Sequence, residues 1–277
     1  MRKIAHLSDI HFGSVDPSII EPLISTLNDL KPDLVAVSGD LTQRARSSEF
    51  IDARAFLDRL PTPQIIVPGN HDVPLYNVFR RFAAPLRKYR RYITADLQPF
   101  FSDDKMAVIG INTARSSTFK GGRINTEQIE SIRKRLCNID SQIIKVIVTH
   151  HPFDLPEGNL ESDIVGRAPL AMKMLATCGA DIFLAGHMHT IHTGHTATRY
   201  KIEGHSALVV QAGTATSTRH RGETNSFNLI HIDGAKIRVD RLVWQPEKLK
   251  FAGGASEGFY RDGAIWRPDE PDNVLKV

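Results

Sequence analysis

Short apolar runs rich in β-branched residues recur along the chain, at Lys3 to Leu7, Leu34 to Val37, Gln64 to Val67, Met106 to Ile111, Ile143 to Val148 and Asp181 to Leu184. Runs of four to six such residues predict buried strands. Between several of them the apolar positions take up helical spacing, roughly over Pro17 to Leu30, Ser47 to Leu60, Asn77 to Tyr92, Thr126 to Cys137 and Ala168 to Cys178. Strands alternating with helices predict an α/β fold. Past His189 the helices stop, and strands are predicted at Leu208 to Gln211, Ser226 to Ile232 and Lys236 to Val243, the last pair joined by an Asp233-Gly234 turn of hairpin type. From Pro246 onward glycine, proline and charge increase and the periodicity fades. One domain over residues 1–245 and a surface-wrapping tail over residues 246–277 are the expectation. There are no internal repeats or low-complexity tracts.

Composition narrows the class without naming a chemistry. With 277 residues, 41% of them hydrophobic, the chain can bury the core of a single elaborated domain. No apolar run reaches the about 18 residues of a membrane-spanning helix. The first residues pass directly into a strand-like segment without the apolar stretch and cleavage site of a secretion signal, so a cytoplasmic setting is expected. Cys137 and Cys178, both in helical contexts, are expected to be buried or inert thiols, since two cysteines make no disulfide framework. The net charge of +4 suits phosphorylated substrates but speaks mainly to solubility and steering. Histidine says more: six of the twelve (His11, His71, His150, His151, His187 and His189) fall in four short clusters.

Those clusters sit at the carboxyl ends of the predicted strands, where open α/β sheets bind their ligands. Asp9 and His11 follow the first strand, Gly39-Asp40 the second and Gly69-Asn70-His71-Asp72 the third. His150-His151 follow the Ile143 strand and Gly186-His187-Met188-His189 the Asp181 strand. The set joins carboxylates, imidazoles and one amide, a mixture of oxygen and nitrogen donors that suits manganese, iron or zinc. Alternate residues on a tight turn can aim two donors at one centre or divide them between neighbours, and the two oxygens of Asp40 can bridge two ions. Any one of these motifs read alone is a helix cap or a satisfied loop backbone. Five in order, each after a predicted strand, are not.

The order Asp-x-His, Gly-Asp, Gly-Asn-His-Asp, His and Gly-His-x-His, spread over residues 4 to 189, resembles the calcineurin-like metallophosphoesterase superfamily. The resemblance implies a fold of two packed mixed β-sheets flanked by helices, a four-layer αββα sandwich. It further implies that Asp9, His11 and His189 hold one transition-metal ion, that Asn70, His150 and His187 hold a second, and that Asp40 bridges them. Two ions about 3.5 to 4 Å apart activate a shared water for in-line attack on phosphorus. His71 then has no ligand role and can protonate the leaving oxygen, with Asp72 beside it to orient and charge its imidazole.

Thr149-His150-His151-Pro152, Gly39-Asp40-Leu41-Thr42-Gln43-Arg44, Ile111-Asn112-Thr113 and Gly121-Gly122-Arg123-Ile124 look like the bacterial class III cyclic-nucleotide phosphodiesterases. This points to a small phosphodiester substrate, a cyclic nucleotide before other diesters such as phospholipid-derived ones or nucleic acid. No nucleic-acid partner and no membrane span are expected, and a homo-oligomer is compatible with the sequence. A scaffold that keeps the fold but not the chemistry is disfavoured, because every ligand position and His71 are present. Asn70, His71, Asn112 and His151 are the expected substrate contacts; for Asn112 the competing reading is a turn satisfied by its own side chain, and for His151 simple packing. Arg80, Arg81, Arg87, Lys88, Arg90 and Arg91 read more simply as a solvated helix face than as a substrate entrance. His192, His195, His205 and His220 read as surface or hairpin residues.

Overall fold

A computed structural model of the protein describes residues 1–75, 78–118, 121–155, 161–196, 199–218 and 222–269. The first three apolar runs become β1 (Arg2–Leu7), β2 (Leu34–Ser38) and β3 (Gln64–Val67), joined by helices α1 (Pro17–Leu30) and α2 (Ser47–Leu57). These strands are parallel, with Ile4 opposite Leu34 and Val35 opposite Gln64. Helix α1 starts where Asp16 accepts the Ser18 N–H at 2.9 Å with Pro17 at the first helical position, and it buries Ile19, Leu23 and Leu27 on one face. After α3 (Val78–Ala83) and α4 (Arg87–Tyr92) come β4 (Phe100–Ser102), β5 (Met106–Ile111), α5 (Thr126–Leu136), β6 (Ile144–Thr149), α6 (Ala168–Thr177), β7 (Ile182–Ala185), β8 (His192–His195) and β9 (Leu208–Gln211). Four strands close the chain: β10 (Ser226–Asp233), β11 (Lys236–Gln245), β12 (Lys250–Asp262) and β13 (Ile265–Pro268).

Two mixed sheets result, one in the order β13-β12-β11-β10-β1-β2-β3 and the other β4-β5-β6-β7-β9-β8. They pack face to face on Ile4, Ala36, Val67, Val108, Val146, Val148, Leu184, Val210 and Ile230. On the outer face of the first sheet, Ala5, Leu7, Val35 and Val37 meet Leu23 and Leu27 of α1 and Phe50 and Phe56 of α2. On the outer face of the second, Ile109, Ile147 and Phe183 meet Ile129 and Ile132 of α5 and Met172 and Leu175 of α6. The layers are therefore helix, sheet, sheet, helix. Both parallel arrays carry apolar side chains on both faces, which is why these strands read as continuous apolar runs rather than as alternation.

Three expectations are corrected. Residues 246–269 are no loose tail: β12 and β13 form the edge of the first sheet and bury Phe251, Phe259 and Trp266. Their glycines, Gly253, Gly254 and Gly258, hide the strand signal. The helix expected over Asn77 to Tyr92 is two short helices, because Pro85 cannot continue α3; Asn77 itself lies outside the described residues, as do His220 and residues 270–277. Cys137 and Cys178, expected as thiols, form a disulfide. Each terminates one of the paired helices α5 and α6, and this packing brings their Cα atoms to 4.2 Å. Strands β4 and β8, of three and four residues, were too short to be read from the pattern. Among the described residues no helix is long and apolar enough to cross a membrane.

Candidate metal centre

At the carboxyl ends of β1, β2, β3, β6 and β7 the chain bends sharply. Asp9, His11, Asp40, His187 and His189 all take left-handed backbone conformations, with φ of 51°, 55°, 52°, 72° and 58°. Such conformations cost a non-glycine residue roughly 1 kcal/mol or more each and persist only where the surroundings impose them. Here the turn after β1 is fixed to the turn after β2 by Asp9 N–H donating to Gly39 O at 3.2 Å and His11 N–H to Asp40 O at 2.9 Å. Reversing the chain at both Asp9 and His11 lets two alternate residues face one point.

Two groups of donors converge. In one, Asp9 Oδ1 lies 3.3 Å from His189 Nε2 and 3.7 Å from His11 Nε2, and the two imidazole nitrogens are 3.4 Å apart. In the other, Asn70 Oδ1 lies 3.0 Å from His150 Nε2 and 3.1 Å from His187 Nδ1. Asp40 Oδ2 stands between them, 3.4 Å from His150 Nε2 and 3.8 Å from His11 Nε2. All seven residues expected as ligands are thus brought together. Except for Asn70 and His187, which are partly exposed, they are buried.

The donor set fits metal ions on three grounds. Asp9 Oδ1 is buried without a hydrogen-bond partner, a state that is costly unless a cation satisfies it. His150 donates Nδ1–H to the Ser38 carbonyl at 2.8 Å, which turns Nε2 inward as the nitrogen that would ligate a metal on giving up its proton, the outer-shell arrangement of a ligating histidine. The charges also depend on one another. Burial alone would raise the Asp40 carboxyl, yet the imidazoles of His150, His71 and His11 hold it well below the usual carboxylate range. Burial alone would lower His150, but Asp40 and Asp9 push it up to about 9. His187, desolvated and facing His150, falls to about 4. In these pairs a proton on His150 offsets the carboxylates, and a cation would take over that role.

Three motif glycines make this convergence possible. The space a Cβ would fill at Gly39 is taken by the His150 ring, at Gly69 by Asp40 and at Gly186 by Ser8 and Asp9. Each glycine of one motif therefore houses a side chain of another. At Gly69 a methyl group would overlap both the Asp40 carboxylate and its backbone nitrogen. Gly69→Ala is expected to destabilise the protein by about 1–3 kcal/mol, lowering Tm by several degrees. The bound metal should fall with it. Calorimetry with metal analysis checks this, and an unchanged Tm with full metal content would contradict the interlock.

Around the donors, His71 donates its backbone N–H to Asp40 Oδ1 at 2.8 Å and its Nδ1–H to the Gln43 carbonyl at 2.8 Å. A carbonyl can only accept, so Nδ1 carries the hydrogen and Nε2 is the atom able to exchange a proton. The ring stands edge-on to His11, their centroids 4.9 Å apart. Asp72 does not orient it, contrary to expectation. Its oxygens accept from Leu41 N, Thr42 N, Thr42 Oγ1 and Gly69 N, which ties the loop after β2 to the loop after β3. Neighbours on a 3-10 turn point in different directions, so His71 and Asp72 diverge. Burial and the nearby Asp40 charge raise the Asp72 carboxyl to about 6.

His151 is buried and offers a ring nitrogen within 4.8 Å of those of His150 and His187, so it too could serve as a donor of the second group; its ring centroid is 4.6 Å from that of His187 and its Nδ1 2.8 Å from Thr113 Oγ1. Gly122 leans on that ring with no room for a Cβ. Asn112 spends Oδ1 on the Ala114 N–H at 3.0 Å, the turn role, while lining a cavity of about 460 Å³ with Arg87, Arg90 and Arg115. His192, His195 and His205 stay outside both donor groups. The Gln43 carbonyl was not readable from sequence, because a backbone group leaves no side-chain signature.

Residues 2–190 match the family described as calcineurin-like phosphoesterase. The chain is 27% identical over 213 residues, covering 72% of it and 73% of the relative, to the glycerophosphodiester phosphodiesterase GpdQ of Enterobacter lignolyticus. It is 24% identical over 200 residues, covering 67% of it and 72% of the relative, to a probable cyclic nucleotide phosphodiesterase of Synechococcus sp.. Among solved structures it resembles a purple acid phosphatase from yellow lupin seeds, with a TM-score of 0.66 at 14% identity over 94% of this chain and 54% of the lupin protein. It also resembles a dimetal phosphatase from Danio rerio, with a TM-score of 0.64 at 11% identity over 91% and 98% of the two chains. These structural likenesses establish the fold.

Proposed function

Since the chain belongs to the calcineurin-like phosphoesterase family, we propose that it is a dinuclear-metal phosphodiesterase whose substrate is a small diester, a cyclic nucleotide first. The observation that carries this reading is the position of Asp40 Oδ2 between two donor groups, each with its own imidazoles. Asp9, His11 and His189 would hold one ion, Asn70, His150 and His187 the other, and Asp40 both. When bound, the ions supply an activated water and neutralise charge on the phosphoryl oxygens. The protein does the rest. Asp40 fixes His71 through its backbone, and the Gln43 carbonyl fixes the tautomer, so that Nε2 can pass a proton to the departing oxygen. Asp72 is a positioning residue acting through Leu41, Thr42 and Gly69. Asn70, His151 and Asn112 would contact the diester.

A second reading, a glycerophosphodiester or another phospholipid-derived diester, is favoured by the relative named for that activity. Hydrolysis rates on cyclic nucleotides, glycerophosphodiesters, a chromogenic diester and its monoester, with manganese-loaded and chelated protein, separate the readings. A chelator-sensitive preference for one cyclic nucleotide is the expected result. Preference for glycerophosphodiesters would keep the mechanism and replace the substrate. A metal-replete protein inert on the whole panel would return the fold to a scaffold role.

A further inference from the structure

Between Val73 and Ala95 the chain carries Arg80, Arg81, Arg87, Lys88, Arg90 and Arg91 and not one Asp or Glu, although acids nearly balance bases elsewhere. The segment holds more than the whole net positive charge. It also holds the densest exposed apolar patch among the described residues: Phe79 is 81% exposed, Phe82 62% and Leu75 41%. Phe79 and Phe82, three apart on α3, share one side of that helix. Large aromatic side chains left in water at this density mark an interaction surface.

The exposure is built into the fold. The buried guanidinium of Arg81 donates from Nε to Ser116 O at 2.8 Å, from Nη1 to Pro74 O at 3.1 Å and from Nη2 to Thr118 O, fastening one side of the six-residue α3 to two loops. Lys88 Nζ does the same for α4 at Ala45 O, 2.8 Å away. The exposed cations of the stretch are Arg80, Arg87, Arg90 and Arg91. Arg87 and Arg90 also line the cavity that Asn112 lines.

We propose that α3 and the start of α4 form a docking surface for an anionic phospholipid membrane. Phe79, Phe82 and Leu75 would enter the boundary between headgroups and acyl chains, with Arg80, Arg87, Arg90 and Arg91 against the headgroup charges, the distribution of an interfacial amphipathic element. Charge complementarity decides the occupant. A second copy packed symmetrically would set four arginines against four, whereas an anionic bilayer answers the aromatic and the cationic parts together. Phe79 and Phe82 stand exposed on the side of a helix, unlike the grooves with stacking platforms that bind single-stranded nucleic acid. The inference does not depend on the substrate assigned above.

Sedimentation of the metal-loaded protein with phosphatidylcholine vesicles, and with vesicles of equimolar phosphatidylcholine and phosphatidylglycerol, tests it. Binding is expected only to the anionic vesicles, weakening as salt rises. A Phe79→Ser/Phe82→Ser variant should lose roughly tenfold or more in partitioning while keeping its metal content and its rate on a soluble chromogenic diester. Arg80→Gln, which keeps both aromatic rings, should give a smaller loss of binding to the anionic vesicles and covers the case in which the double variant fails to fold. Equal binding to both vesicle types, binding to neither, or full binding by the variants would overturn the proposal. So would a dimer that the double variant dissociates, which would make a second copy the occupant, or tight binding of a single-stranded oligonucleotide lost in that variant. None of these outcomes alters the reading of the metal centre, whose residues the variants leave intact.

Discussion

Replacing Asp40 by alanine is expected to empty both metal positions together and to lower turnover by a factor of roughly 10³ or more. The reason lies in where its oxygens stand. Oδ2 is within 4 Å of an imidazole nitrogen from each donor group, and Oδ1 accepts the His71 backbone N–H. Its loss takes a negative charge from both groups at once, whereas loss of Asn70 or His189 would touch only one. Asp40→Asn separates charge from shape: it keeps a carbonyl oxygen for the His71 N–H and removes the charge, so metal content should fall almost as far. The metal-free variants carry a second signature. His150 is held up at about 9 by Asp40 against its own burial, so without that carboxylate its pKa should drop below the ordinary histidine range. Metal analysis of the purified variants and titration of the His150 ring protons by NMR check the two parts. An Asp40→Ala protein that retained both ions at full stoichiometry would rule out the bridge.

His71→Ala should behave in the opposite way, keeping its metals and losing roughly 10²- to 10⁴-fold in kcat. Its imidazole is outside both donor groups, and its backbone bond to Asp40 survives truncation of the side chain. The size of the loss should depend on the leaving group. A nitrophenolate departs without help, so the variant should lose little on that substrate, while an alkoxide or ribose oxygen needs the proton from Nε2 and should show the full effect. Uniform loss on both substrates would mean that His71 stabilises charge on the phosphoryl group instead of donating a proton. An unaltered rate in metal-loaded protein would remove it from the mechanism.

How much of this was legible beforehand divides along physical lines. Runs buried on both faces, such as Met106 to Ile111, and the amphipathic, proline-started α1 were readable, because burial and capping act on neighbouring residues. The seven residues that the family resemblance implied as ligands do converge, since Gly-Asp and Gly-His-x-His record local turns that travel with the motif. What escaped reading depends on contacts between distant parts of the chain. Phe251, Phe259 and Trp266 are core residues only because β11 offers β12 an edge, and their glycine-rich setting looks like a tail until that pairing is seen. Cys137 and Cys178 lie 41 residues apart and meet only through the packing of α5 on α6. The Asp72 misreading is of another kind. Adjacency in sequence suggested contact with His71, whereas a carboxylate at that step is drawn to the unpaired N–H groups of the loop after β2.

The seven donors are shared between the two sheets. Asp9, His11, Asp40 and Asn70 end strands of the first, and His150, His187 and His189 end strands of the second. Each donor group mixes the two, His189 completing the one and Asn70 the other. The centre therefore straddles a seam. A chain still being synthesised and short of residue 187 holds neither cluster whole, and its first sheet still lacks β10 to β13. Both clusters therefore come together only when the two sheets have closed on each other, at the end of folding.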